Sequence, residues 1–246
     1  MRGDPEYELT ASPARIREIS TSWRRLFFSF SGLALLAAAS LIVFPPGAAA
    51  TRPTLTAGAI VLLVLAALFL VRLLLIRRAA QRSHGANGAV IAITPTGIVV
   101  RGDTTVPFEE ITGVFAKDDQ DALLSKAAPR VRGVAGRALL RAGLHGIELT
   151  IGLRDAVAVR DTADTPKAAA RIHQFAALAD GTRPGMIQLP FGVTHDSAAL
   201  ANLLQALQAR LEPAAPVKAL TGVLDMAIVV GACADPATII EKTRDL

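Results

Sequence analysis

The chain has 246 residues, of which 52% are hydrophobic and 19% charged, with a net charge of +5. A mean hydropathy of +0.43 points to a chain partly embedded in a membrane, and the high pI, near 10.0, reflects arginines beside apolar runs, which an anionic membrane face explains better than nucleic acid does. The single cysteine, Cys233, excludes an intramolecular disulfide and a Cys-rich metal site, and it fits a reducing compartment.

Residues 1–25 are polar and form a juxtamembrane segment. Ser12-Pro13 has the form of a helix cap followed by proline at the first helical position, and Ile16, Ile19 and Trp23 recur at helical spacing. Two readings stay open: a short amphipathic helix on the inner membrane face, or a disordered tail that frays from the next helix.

Residues 26–76 are predicted to form a transmembrane helical hairpin. The first run, residues 26–44, has no charge and spans roughly 28 Å at a rise of about 1.5 Å per residue, close to a bilayer core. The second, residues 55–76, spans about 33 Å and carries one charge, Arg72, near enough to its end to snorkel to the headgroups. Pro45, Pro46, Gly47 and Pro53 force a turn between them. Small residues, Gly32, Ala34 and Ala38 in one run and Ala66 and Ala67 in the other, permit the two helices to pack.

Basic residues set the orientation. Arg15, Arg17, Arg24 and Arg25 precede the hairpin and Arg77, Arg78 and Arg82 follow it, whereas the loop has only Arg52. A multi-pass inner-membrane protein with both termini cytoplasmic follows, its interface anchors being Trp23, Arg24, Arg25, Arg72, Arg77 and Arg78. A twin-arginine export signal at Arg24-Arg25 with cleavage near Ala48-Ala49-Ala50 is disfavoured by the length of the first run and by the second span that follows it. Burial of both runs in a soluble core is disfavoured by their length and lack of charge.

After a linker at 77–88, β patterns begin. Ala89 to Thr94, Ile98 to Arg101 and Thr104 to Pro107 alternate with Pro-Thr-Gly and Gly-Asp turns, and a fourth strand is expected over Thr112 to Ala116. Residues 117–146 interrupt the pattern with an acidic start and then Arg130, Arg132, Arg137 and Arg141. A connection of this length is uncommon without a purpose, so these four arginines are the candidates for binding anionic lipid or a partner. Strands are expected again at Ile147 to Leu153 and Ala156 to Arg160, a helix at Pro166 to Ala179, and a last strand at Met186 to Leu189. Leu200, Leu203, Leu204, Leu207 and Leu211 then form the apolar stripe of a closing helix. Residues 213–246 are expected to be a tail, with a stiff Pro-rich start, an apolar run over Val223 to Ala232 too short to span, and a terminal helix capped at Asp235-Pro236.

The strand pair of residues 89–101, with its Thr-Pro-Thr-Gly turn, followed by Val106-Pro107-Phe108-Glu109-Glu110-Ile111, is similar to the opening of bacterial membrane-anchored pleckstrin-homology-like (PH-like) domains. The resemblance covers residues 89–212. It implies an α+β domain, an antiparallel sheet or barrel closed by a C-terminal amphipathic helix, and no catalytic residues. The insertion at 117–146 and the helix at 166–179 depart from the pattern.

No reaction is legible. His195, Asp196 and Ser197 are consecutive at a helix start and cannot face one another, so they are read as capping residues. The glycine-rich segments at 133–136 and 143–146 lack a phosphate-loop pattern, the four histidines are scattered, and Glu109 and Glu110 are adjacent rather than opposed. The expectation is therefore a non-enzymatic protein without cofactor or metal. It rests in the lipid bilayer and uses its PH-like domain as a scaffold or binding module for another membrane protein, does not bind nucleic acid, and has anionic headgroup recognition through the insertion as the alternative function and a divergent enzyme as the lesser one.

Overall fold

The computed structural model describes residues 4–43, 52–83, 88–118, 147–192, 194–220 and 223–244. Two long antiparallel helices lead into an α+β unit of two facing sheets.

Helix α1 (Pro13–Val43) and helix α2 (Arg52–Ser83) each exceed thirty residues. Ser12 and Pro13 start α1 as their types require: the Ser12 hydroxyl accepts from the Arg15 N–H at 3.3 Å, and Pro13 occupies the first turn, where no amide donor is needed. There is thus no separate short helix before the first apolar run, and α1 is continuous from Pro13 to Val43. Ile19 and Trp23 turn toward α2, packing with Leu73 and Phe69. Ala34, Ala59 and Ala66 are buried along the seam, where small side chains let the backbones approach, whereas Ala67 is exposed. The expected linker at 77–88 is helical through Ser83, because nothing before the glycines at 85 and 88 breaks α2.

The first sheet has four antiparallel strands in the order β1 (Tyr7–Thr10), β2 (Ala89–Thr94), β3 (Gly97–Val100) and β4 (Thr104–Pro107). β2 to β4 are the expected meander. β1 is not: it lies before the helices in a segment expected to be helix or tail, and it pairs with β2 across them, Tyr7 opposite Ile93 and Leu9 opposite Ile91. Only four residues long, it gains its stability from that pairing rather than from its own pattern.

The second sheet is mixed, in the order β7 (Ile172–Gln174), β8 (Gly185–Pro190), β6 (Ile147–Leu153), β5 (Ile111–Asp118) and β9 (Val217–Leu220). Every pairing is antiparallel except β5 with β9. Lys117 and Asp118, expected to open the insertion, belong to β5, and Asp118 lies opposite Ile147, so these two strands hold the insertion's ends side by side. Two further expectations are corrected. Ala156 to Arg160 is not a strand but part of helix α3 (Ala156–Asp161), because Asp155 caps it by accepting from the Val157 N–H at 2.9 Å and only Ala156 and Val159, three apart, are buried. The helix expected to reach Ala179 stops as α4 (Pro166–Ala169); Ile172 to Gln174 pair with β8 instead, and Gly181, at φ +84°, makes the turn that follows.

Helix α5 (Ser197–Leu211) is the expected closing helix, with Leu200, Leu203, Leu207 and Leu211 buried. Its leucines join Ile91, Ile93, Ile98 and Val100 of the first sheet and Val114, Leu149, Ile151, Leu153 and Ile187 of the second in one core. The sheets do not close into a barrel. The other face of the second sheet is covered by residues expected to be a tail: helices α6 (Val223–Cys233) and α7 (Ile239–Lys242) bring Val229, Ala232, Cys233 and Ile239 onto Phe115, Met186 and Leu220. Period-two alternation explains how one strand serves both layers, since Val114 and Ala116 face the first core and Phe115 the second. Met186 to Leu189 is consequently not the last strand. β9 follows α5, and Lys218 on it donates to the carbonyls of Thr243 and Arg244, the latter at 2.8 Å, at the end of α7.

Candidate functional site

The domain meets the helices at one edge. β1 ends three residues before α1 begins, and β2 begins six residues after the end of α2; Ala11 N–H donates to the Gly88 carbonyl at 2.9 Å and Ser12 N–H to the Thr194 carbonyl at 3.2 Å. His195 fastens this edge. Its Nε2 lies 2.8 Å from the Thr10 carbonyl and its Nδ1 2.9 Å from the Thr194 hydroxyl, with the ring against Phe191. A carbonyl only accepts, so Nε2 carries the hydrogen and Nδ1 accepts from Thr194. Burial lowers the imidazole pKa, partly opposed by the Thr10 hydrogen bond and the Asp196 charge, and keeps it neutral near pH 7. Asp196 is the actual cap of α5, accepting from the Ala199 N–H at 2.9 Å.

A cleft of about 320 Å³ opens at the opposite end of the second sheet, where β5 starts and β6 stops. Ile111, Thr112, Arg154, Asp180, Ile239 and Ile240 line it. Ile240, 55% exposed, is one of the few large apolar side chains of the domain that face outward, while Arg154 is an exposed cation at the same rim. Asp180 is held as a carboxylate by the hydroxyl and N–H of Thr182, at 2.6 and 2.9 Å, and this depresses its pKa. The Thr112 hydroxyl is buried without a hydrogen-bond partner among the described residues. An apolar rim with a held carboxylate at Asp180 and an exposed cation at Arg154 suits capture of a peptide segment. Among the described residues no three His, Cys, Asp or Glu side chains gather to hold a metal.

The expected anchors divide. Arg24, Arg25 and Arg78 are exposed on the helix pair. Trp23, only 5% exposed, turns inward onto Phe69, at 5.5 Å between ring centroids, rather than outward, and the Arg72 guanidinium sits 5.8 Å above the Trp23 ring. The side chain of Arg77, and all of Arg130, Arg132, Arg137 and Arg141, lie outside the described residues.

Comparison with known protein families, with characterised proteins and with solved structures finds no match. Geometry alone carries the functional reading. The sequence reading missed His195, Arg154, Asp180 and Ile240 as site residues; five separate stretches of chain, at 111–112, 154, 178–182, 214 and 236–240, meet in the cleft, and no spacing signals it.

Proposed function

We propose that this chain is a non-enzymatic membrane protein in which α1 and α2 form a two-pass anchor, both termini face the cytoplasm, and a PH-like domain binds a protein partner of a membrane complex. One observation carries it. Among the described residues, every large apolar side chain that is strongly exposed lies on α1 or α2, apart from Val157, Ile228 and Ile240. Within α2, Thr56–Leu75 is long and apolar enough to cross a membrane, with a mean hydropathy of 2.8, and only 17% of it is buried, unlike the core helix of a soluble domain. It is the one such helix segment among the described residues; the first expected span runs past Val43 beyond them. The PH-like reading is supported by the β2–β3 turn pair, the Val106 to Ile111 passage into β5 and the leucine stripe of α5, with β1 and β9 as additions to that plan.

The distal cleft is the surface the partner takes, since it faces away from the anchor edge. Full-length protein purified in mild detergent is expected to retain a stoichiometric integral-membrane partner, and Ile240→Asp or Arg154→Glu to release it. Extraction at alkaline pH without detergent would overturn the anchor. A partner retained undiminished by both variants would overturn the cleft.

A further inference from the structure

The turn between β3 and β4 holds a charged group in an unusual setting. Arg101 and Gly102 both have positive φ, at 51° and 71°, and the Asp103 N–H donates back to the Val100 carbonyl at 3.1 Å. Glycine, asparagine or aspartate is the usual choice at such a position, and a long cationic side chain is uncommon there. That side chain is also buried, at 7% exposure, and its Nε is enclosed with no acceptor among the described residues. The carboxylate beside it, Asp103, is taken: Arg171 forms an ion pair with it and the Thr104 hydroxyl donates to it at 3.2 Å. Arg171 thus takes the carboxylate, and Arg101 feels only its charge. Burial, reinforced by the neighbouring Arg171 charge and opposed by Asp103, lowers the Arg101 pKa to about 10, so the group is still a cation at neutral pH.

A buried cation with an unfilled donor, beside a second guanidinium that is already paired with Asp103, has the chemistry of an anion site. We propose that Arg101 and Arg171 bind a phosphate group, with Asp103 holding Arg171 in position to meet it. Phosphate offers oxygens to both planar forks at once, which a halide cannot. The turn lies at the anchor edge: Arg101 N–H donates to the Val90 carbonyl at 2.9 Å, just after Gly88, where the chain arrives from α2. A free phosphate compound and a lipid phosphate both have this chemistry; only the lipid source rests on the anchor reading above.

The test uses the full chain in neutral detergent, following thermal unfolding and calorimetric binding with inorganic phosphate, with chloride and acetate at equal ionic strength, and with short-chain phosphatidic acid in mixed micelles. Wild type is expected to show a saturable rise in midpoint with phosphate or phosphatidic acid and none with chloride or acetate. A response to both ligands identifies the phosphate group itself as the ligand, and a response to the lipid alone identifies a headgroup. Arg101→Asn suits the left-handed backbone, so its midpoint without ligand is expected to equal or exceed that of wild type while binding falls about 10-fold or more, the loss of one charge-assisted hydrogen bond. Arg101→Lys, which keeps the charge and loses the fork, and Arg171→Gln provide folded variants with weakened binding should the first not fold. No response of wild type to either phosphate ligand overturns the site, as does an equal response to acetate. A ligand-free midpoint that drops in Arg101→Asn, with phosphate binding intact in Arg101→Lys and Arg171→Gln, overturns it in favour of a structural arginine.

Discussion

His195 joins the strand that leads into α1 to the rest of the domain through a hydrogen bond that crosses 185 positions of chain. Its pKa is lowered on folding, so the unfolded chain binds the proton more readily. The stabilisation is complete above the ordinary histidine pKa near 6.5 and is lost as pH falls below it. The thermal midpoint should hold steady from about pH 8 to 7 and decline on acidification through 6.5, and His195→Gln, whose amide can still donate to Thr10, should flatten that decline. An equal acid slope in the variant would place the titrating group elsewhere. His195→Ala should cost about 1–3 kcal/mol, because the Thr10 carbonyl then lacks its donor. In the sequence, this histidine stands between Thr194 and Asp196 and reads as one of several capping groups. Asp196 fulfils that reading; nothing local shows that His195 reaches a carbonyl ten residues from the other end.

Elements set by their own pattern were legible. The leucine stripe of α5 buries the faces its spacing gives, and β2, β3 and β4 stand between turns fixed by Gly97 and Gly102. Elements set by distant partners were not. The Ala-Val-Ala-Val-Arg segment alternates like a strand, yet it caps as a helix on Asp155; β1 and β9 are strands because β2 and β5 offer edges to them. The tail shows the same limit, since its apolar length excluded a span without revealing the sheet face it covers. That docking is tight at Gly152, where an added Cβ would lie 2.6 Å from the Thr112 hydroxyl and 3.0 Å from the Cys233 sulfur. Thr112 can rotate, but the Cys233 side chain is fully enclosed, so its sulfur can give way only into packed neighbours or by a shift of α6. Gly152→Ala should therefore cost about 1–3 kcal/mol and loosen the tail. Cys233 supplies the readout: burial pushes its thiol up to about 12, so in wild type a thiol reagent at pH 8 should modify it only as slowly as the tail opens. Faster modification of the alanine variant under native conditions is the expected result, and identical rates would mean that α6 does not rest on β6.

At the scale of the whole molecule, the two long helices leave the domain and return to it at adjacent strands of one sheet. β1 ends three residues before α1, β2 follows α2, and the two pair in antiparallel register with Thr10 opposite Ala89. Glu6 adds an ion pair to Arg210 on α5, tying the same segment to the opposite layer. The N-terminal strand and the domain therefore occupy one side of any membrane that the helices enter, and the helices must cross it an even number of times. This constraint is independent of the arginine distribution, which concerns only which side is chosen. Reporters fused before Asp4 and after Leu246 should consequently agree with each other in every orientation, and the excess of arginine at the helix ends makes the cytoplasm the expected compartment for both. Agreement on the opposite side of the membrane would reverse the orientation and leave the fold untouched. Disagreement would require β1 to leave the first sheet, which would uncover Ile91 and Ile93 at its edge, and a deletion of residues 1–11 should then leave the midpoint unchanged instead of lowering it.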